Sequence, residues 1–243
     1  MSGPSRALID EITRFALYLI DRCREDFERR RELIGDDEEL IFQIFYGALF
    51  LDMPIPRPYL NSFQKLVNFR NLLNRPPTEI DEIVKEAIKG IIEGMTADTV
   101  SQFFIDVISI AKRHNNSLEQ YIREFTNAKD LEKDVKHLPG IGDVKAPILV
   151  RDLKVAGILY LRIDDLNFPP AKPVIRVLKR TGIITKELNE PEEIEKIIRN
   201  TFNIPPIIAD IGLRHIGSYY CFYDELKCDI CPITHVCPKL KGR

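Results

Sequence analysis

The sequence predicts an all-α protein, and three observations support this fold class. Apolar residues recur at steps of three and four along most of the 243 residues, as on one face of an amphipathic helix. No stretch shows the period-two alternation of a half-buried strand. Short glycine and proline clusters separate the helical stretches, and there are no internal repeats or low-complexity tracts.

The first helix is predicted from a stripe of regularly spaced apolar residues. Its members are Leu8, Ile12, Phe15, Leu19, Cys23 and Phe27. Because Cys23 lies on this stripe, it is interpreted as a core residue rather than a ligand or nucleophile. Gly35-Asp36-Asp37 ends the helix, and the following run 40–51 is apolar nearly all round, which is typical of a helix buried inside a domain.

Four more helices are predicted after the proline-rich turn at 53–58. They lie at about 60–74, 79–94, 97–114 and 117–125. Thr78 and Ser117 are the predicted N-caps of the second and the fourth. Gln120 would complete a capping box with Ser117, by bonding back to the start of the same helix.

Proline and glycine mark the helices of the C-terminal third. The predicted signals, in chain order, are Pro173 in the first turn of a helix over 174–180, Thr181-Gly182 at its end, Asn189 and Pro191 at the start of the next, and Pro205-Pro206 before a last helix that runs into Cys221. The predicted chain is therefore helical to the beginning of a cysteine-rich terminus.

The charge pattern bears on possible partners. The formal net charge is −2, which argues against a general nucleic-acid binder. Between Lys136 and Arg180, however, nine basic residues face four acidic ones, a difference of 9 − 4 = +5. A local nucleic-acid contact and an ordinary solvated helix face both explain this excess.

The sequence also bears on cellular location. The most apolar long stretch, 146–163, is interrupted by four charged residues, so no membrane span is predicted. The N-terminus does not read as a secretory signal peptide. A cytoplasmic protein, associated with the nucleoid in a prokaryote, is therefore expected.

Four cysteines near the C-terminus form the strongest motif. Cys221, Cys228, Cys231 and Cys237 are separated by six, two and five residues. Two disulfides would require an oxidising compartment. Structural zinc sites usually use two close Cys-x2-4-Cys arms, and only Cys228 and Cys231 form one. Four thiolates in one compact loop suit the corners of a [4Fe–4S] cluster, with zinc and disulfides as the alternatives.

A glycine turn between two helical patterns is the second motif. In Leu138-Pro139-Gly140-Ile141-Gly142, the backbone N–H groups at the start of the following helix would form an anion site suited to a phosphate. Lys145, one turn into that helix, would add a positive charge. The alternative is that Gly140 only terminates a helix.

Together the two motifs resemble the endonuclease III family of DNA glycosylases. The cysteine spacing is similar to its iron–sulfur loop, and the turn resembles its helix-hairpin-helix motif, here at about 130–155. Over residues 5–240 the resemblance implies two helical lobes, one from 36–164 and one from 1–35 plus 165–243. It also implies a monomer with a [4Fe–4S] cluster on the four cysteines. Double-stranded DNA, intact or damaged, would lie between the lobes with one nucleotide flipped out.

The catalytic positions depart from the family pattern. The place of the family's lysine is Val144, and Lys145 is displaced by one residue, a rotation of about 100° on a helix. Matching the family's helix to Ile175-Arg176-Val177 puts Ala171 in the place of its aspartate. Counting forward from the hairpin reaches Asp164 and Asp165 instead, which also suit a solvated turn.

The DNA-contacting positions depart as well. The residue that the family inserts in place of the flipped base corresponds to Leu49 or a neighbour in 47–52, and an apolar side chain there could still unstack bases. Between the first two cysteines the family is basic, whereas 222–227 is acidic on balance. The expected DNA-binding residues are Leu138, Gly140, Gly142, Lys145 and Leu49.

Two functions follow from the resemblance. The first is a glycosylase or abasic-site lyase, in which Lys145 or water attacks the sugar and Asp164 or Asp165 stabilises the developing positive charge. The second is a DNA-binding protein of the same fold that has lost the chemistry and keeps the cluster as a structural element. Val144 and Ala171 favour the second.

Overall fold

The computed structural model describes residues 4–51, 63–92, 95–169, 171–184, 190–222 and 224–238. These residues confirm the all-α prediction, since their only β feature is an isolated antiparallel bridge between Cys221 and Leu226. Within the same ranges, no helix is both long enough and apolar enough to cross a membrane.

The helices follow the predicted order. In chain order they are α1 (Arg6–Ile34), α2 (Asp37–Leu49), α3 (Phe69–Leu73), α4 (Pro77–Ile88), α5 (Met95–Arg113), α6 (Leu118–Arg123), α7 (Ala128–Val135), α8 (Gly142–Val155), α9 (Lys172–Thr181), α10 (Pro191–Thr201) and α11 (Pro206–Tyr219), and a 3-10 turn spans Cys228–Ile230. The predicted proline turn at 53–58, part of the predicted 60–74 helix and Asn189 lie outside the described residues.

The chain divides into two compact units. The cysteine unit comprises Met1–Asp26 and Ile163–Arg243, and the hairpin unit comprises Phe27–Arg162. The sequence prediction put these boundaries after residues 35 and 164. The first boundary lies after Asp26 and not at Gly35. Helix α1 is continuous to Ile34, so its first part belongs to the cysteine unit and its last part to the hairpin unit.

Helix α2 is the centre of the hairpin unit. Eight of its 13 residues are buried and cover most of the circumference of the helix, whereas Gly47 is exposed. Its rings form an aromatic core with those of later segments: the Phe42 and Phe104 centroids are 5.5 Å apart, and the Tyr46 and Phe63 centroids 5.7 Å. The interpretation of 40–51 as a buried helix is therefore correct.

Of the two predicted N-caps, Ser117 is confirmed and Thr78 is wrong. Ser117 does cap α6, with its hydroxyl accepting the Gln120 N–H at 3.0 Å. The Gln120 side chain accepts a hydrogen bond from Asn115 instead of completing the capping box. The prediction for Thr78 is wrong, because α4 already starts at Pro77. Proline suits this first position because it has no N–H group that would need an acceptor.

The cysteine unit has its own core, built by the first half of α1 with α9, α10 and α11. The buried residues of α1 are Leu8, Ile9, Ile12, Ala16 and Ile20. The predicted stripe is thus rotated, and Phe15, Leu19, Cys23 and Phe27 are only half-buried. The rotation follows from Gly212 of α11, where a Cβ would lie 2.9 Å from the Ala16 Cβ.

Helices α9 and α11 meet at a second close approach. Pro173 lies in the first turn of α9 and Gly182 ends the helix with φ +75°, as predicted. On α11, a Cβ added to Gly217 would overlap the Pro173 carbonyl and lie 2.8 Å from the Pro173 Cβ. Glycine is therefore required at 217 for packing, although it costs helix propensity.

This packing predicts opposite effects for two helical glycines. Gly217→Ala should destabilise the protein by about 1–3 kcal/mol, because backbone atoms must move to admit the methyl group. Gly47→Ala is the matched control: Gly47 lies in α2 with open space around it, so alanine should stabilise by about 0.4–1 kcal/mol. Thermal unfolding of both variants measures the difference, and a Gly217→Ala protein as stable as wild type would contradict the packing argument.

Candidate functional site

The four C-terminal cysteines line one pocket. They follow α11 and are brought together by the bridge between Cys221 and Leu226, the 3-10 turn at Cys228–Ile230, and a turn in which Cys237 N–H donates to Ile233 O at 2.9 Å. About 450 Å³ inside this pocket is free of atoms, part of it open to solvent. The remaining wall is mostly apolar and includes Val177 and Ile216.

The cysteine loop is anchored to the core of its unit. Ile233 is 2% exposed, and Cys221, Cys231 and Cys237 pack against the same buried cluster. Ile233 thus anchors the loop to the core, and the four cysteines line the adjoining pocket.

Two arginines of α9, one turn apart, hold the start of the loop. Arg176 Nε donates to Cys221 O at 2.6 Å, and its Nη2 to Gly217 O at 2.5 Å. Arg180 Nη1 donates to Phe222 O and contacts the Cys221 Sγ at 3.3 Å. In the sequence, both arginines belong to the excess of basic residues between 136 and 180, which a nucleic-acid contact and a solvated helix face explain equally. Their four-residue spacing was the available signal that they share one face of a helix.

The thiols also interact electrostatically. Burial raises the pKa of Cys231 to about 11, and the three other cysteines add to the increase. This thiol is therefore protonated at neutral pH, and a metal that binds it must displace the proton. All five cysteines are free thiols in this structure.

The spacing of the thiols bears on what they could hold. Among the described residues, no three His, Cys, Asp or Glu side chains converge on a position for a single metal ion. Four cysteines around one pocket supply the ligand type that a structural zinc ion and a [4Fe–4S] cluster share.

In the hairpin unit, a tight turn joins α7 to α8. Leu138 and Ile141 are 7% and 3% exposed and anchor the turn, and Ile141 N–H donates to Leu138 O at 3.1 Å. Gly140 and Gly142 are exposed and have φ of +77° and +59°. The first N–H groups of α8, which lack acceptors within the helix, therefore follow an exposed glycine turn.

The charged residues at this turn differ from a simple basic patch. Asp143, in the first turn of α8, is exposed and forms an ion pair with Lys136. Arg151 of the same helix is buried and pairs with Asp152. The excess of basic residues between 136 and 180 thus includes side chains that neutralise neighbours.

Leu49 does not match its predicted role as a wedge between bases. It is completely buried, and a Cβ on Gly140 would lie 2.7 Å from its Cδ1. The hairpin therefore packs directly on the Leu49 side chain. Among the described neighbours, Leu51 is the exposed apolar residue, at 40%.

The candidate catalytic residues are held by other contacts or lack the needed group. Lys145 is half-buried, and its Nζ donates to Leu49 O at 2.7 Å. Val144, the residue before it, is also half-buried. These two residues lie in the hairpin unit, whereas Asp164, Asp165 and Ala171 belong to the cysteine unit.

Asp164 and Asp165 lie in a turn before the buried Leu166. Arg199 of α10 holds this turn by donating to Asp164 O at 2.6 Å and Leu166 O at 3.1 Å. Ala171 is the N-cap of α9, with ψ 151° and no side-chain cap. An aspartate at this position would cap α9 in that conformation.

Comparisons with known proteins concern the fold. No protein-family model and no curated protein matches the sequence. Among solved structures, a non-covalent endonuclease III–DNA complex matches with a TM-score of 0.54 and 16% identity, over 92% of this chain and 97% of that one. A trapped endonuclease III–DNA covalent intermediate matches with a TM-score of 0.53 and 18% identity, over 93% and 97%.

At these identities the likeness is one of architecture, and it covers nearly all of both chains. The protein therefore has an endonuclease III-like fold.

Proposed function

We propose that this protein is a monomeric DNA-binding protein that binds double-stranded DNA through the 136–142 hairpin. It would carry a [4Fe–4S] cluster on its four C-terminal cysteines and would lack glycosylase and lyase chemistry. The observation that carries the proposal is the exposed turn of Gly140 and Gly142, at the start of α8, in a fold shared with structures of DNA complexes.

The DNA contact rests on the backbone of the turn. Two left-handed glycines leave no side chain between the chain and a phosphate, and the α8 N-terminus offers unpaired N–H groups and a positive dipole end. The nearby Asp143 carboxylate reduces this attraction. With a net charge of −2, the protein should contact few phosphates and should bind with a shallow salt dependence.

The cluster would serve as a structural element. Cys221, Cys228, Cys231 and Cys237 would each ligate one corner, and Arg180 would offset part of the negative charge of the thiolates. When bound, the cluster would fix the C-terminal loop on the core of the cysteine unit and stabilise that unit. The loop exposes Asp224, Glu225 and Asp229, so it is a poor phosphate binder.

The chemistry would be lost because both catalytic groups are missing from their positions. Val144 has no amine, and Ala171 has no carboxylate to stabilise a developing positive charge on the sugar. Together these losses should raise the barrier by several kcal/mol. The alternative enzyme, which uses Lys145 with Asp164 or Asp165, requires Lys145 to leave Leu49 O and the Asp164 turn to change its contacts.

The metal proposal predicts iron in the purified protein. Protein made and purified without oxygen should be brown, with about four irons per chain. Cys228→Ser should lose the colour, most of the iron and solubility, whereas the control Cys23→Ser, outside the cysteine loop, should keep all three. Iron analysis and visible absorbance measure this, and stoichiometric zinc without iron under iron-replete conditions would refute the cluster.

The hairpin proposal predicts that backbone conformation controls DNA affinity. Gly142→Val should weaken duplex binding about tenfold, roughly the effect of one lost charge-assisted hydrogen bond, because a β-branched residue resists φ +59°. Gly142→Asn should retain binding, since asparagine tolerates this region. Gly140→Val should resemble Gly142→Val and also clash with Leu49.

The matched control for these variants is Gly35→Val. Gly35 has φ +64° and open space around it, but it lies at the end of α1 and outside the hairpin. Its variant should lose stability and keep the DNA affinity of the remaining folded protein. Anisotropy titrations with an undamaged duplex measure all four proteins, and equal affinities throughout would place the DNA surface elsewhere.

The proposed loss of chemistry predicts no covalent intermediate. Wild-type protein should not cleave strands at uracil, 8-oxoguanine or oxidised pyrimidines, and borohydride should trap no adduct at abasic sites. Gel assays with an active glycosylase as positive control measure this. An adduct that disappears in Lys145→Ala and survives in Lys172→Ala would instead identify Lys145 as a nucleophile.

A further inference from the structure

The phosphate-binding hairpin meets the C-terminal end of α2 at two points, both on Leu49. The Leu49 side chain fills the space below Gly140, where a Cβ would come within 2.7 Å of its Cδ1. The Leu49 carbonyl accepts a hydrogen bond from Lys145 Nζ at 2.7 Å. One residue of α2 is therefore held by both the turn and the first helical turn that follows it.

The second contact completes the end of a buried helix. The last carbonyl groups of an α-helix receive no hydrogen bond from an N–H group of the same helix, and they carry a partial negative charge. At the end of α2, Tyr46 O accepts the Phe50 N–H at 3.0 Å and Ala48 O accepts the Leu51 N–H at 3.3 Å. Leu49 O is next in line, and the Lys145 ammonium supplies both a donor and a compensating positive charge.

The position of Lys145 in the sequence makes this contact possible. One residue earlier, at 144, the side chain would point about 100° away around α8. At position 145, displaced by one residue from the expected family position, the lysine reaches the Leu49 carbonyl. It connects α8 to α2 across the base of the turn, while Val144 occupies the former position.

We propose that Lys145 is a positioning residue, which holds the hairpin on α2 so that the backbone N–H groups of the turn stay aligned for a phosphate. This inference rests on the proposed DNA binding. Lys145 contributes to affinity through the order of the turn and makes no phosphate contact of its own. Loss of its ammonium loosens the turn at one of its two attachments to Leu49.

The dependence of affinity on salt separates positioning from contact. A lysine that contacts a phosphate contributes about −0.9 to the slope of log K against log salt concentration, because it releases one counterion. A positioning lysine changes the affinity by the same factor at every salt concentration. The slope of a variant therefore reports which role the ammonium has.

The experiment compares four proteins by anisotropy titration with an undamaged duplex over a range of salt concentrations. Lys145→Met keeps the length of the aliphatic chain and removes the ammonium. Lys145→Arg restores a cation that can reach a carbonyl. Lys154→Met removes a lysine from the last turn of the same helix and serves as the control for net charge.

We expect Lys145→Met to weaken binding about tenfold at all salt concentrations with an unchanged slope, as for the loss of one charge-assisted hydrogen bond. Amide hydrogen exchange of residues 138–144 should become faster, because the turn opens more often. Lys145→Arg should restore both properties. Lys154→Met should change neither hydrogen exchange at the turn nor affinity by a comparable factor.

Two results would overturn the inference. A slope that becomes shallower by about one unit, with unchanged hydrogen exchange, would make Lys145 a direct phosphate contact. Unchanged affinity and exchange in Lys145→Met would show that the packing of Leu49, Leu138 and Ile141 holds the turn without the ammonium. A wild-type protein that binds no duplex would refute the proposed function, and the exchange measurement would still report on the contact with α2.

Discussion

The burial of α2 is the constraint from which most of the hairpin unit follows. A helix that is buried over most of its surface satisfies its backbone along its length, but both ends need partners from elsewhere. At the first turn, the Glu38 carboxylate accepts the Leu118 N–H at 2.7 Å, and the Glu39 carboxylate accepts the Phe69 N–H at 2.6 Å. The acidic start of α2 thus caps α6 and α3. At the other end of α2, the Leu49 carbonyl accepts a hydrogen bond from Lys145 Nζ. Burial raises the pKa of Glu39, which marks the desolvation that this arrangement imposes.

What could be predicted from the sequence was local. The helix order, the Ser117 cap, the Pro173 and Gly182 boundaries and the cysteine spacing all depend on residues within a few positions of one another. The burial of Leu49, the rotation of the α1 stripe and the bonds of Arg176 and Arg180 depend on residues far apart in the chain. A single sequence without related sequences carries no signal for such pairs, so a lysine that caps a distant helix reads as a candidate nucleophile, and two arginines that hold a loop read as DNA contacts.

The packing of this fold and the proposed loss of chemistry involve different residues. Ala171 keeps the N-cap backbone of α9, and Val144 keeps its place in α8, although neither provides a reacting group. The contacts that maintain these positions, such as Gly217 against Pro173 and Leu49 below Gly140, involve no catalytic side chain. These packing contacts would therefore be unchanged by the proposed loss of chemistry, since they involve none of the candidate catalytic side chains.

The discontinuity of the cysteine unit has a consequence for biosynthesis. Residues 1–26 are made before the hairpin unit, but the partners of their apolar face, α9 to α11, are made only after the whole hairpin unit. During that interval Leu8, Ile9 and Ile12 have nothing of their own unit to cover them. The hairpin unit, whose segment is continuous, can fold while the chain is still being made. The four thiols come together only after Cys237 has been made, so the proposed metal centre can assemble only then, and a chain that stalls before Cys221 would leave the first helix exposed to chaperones and proteases.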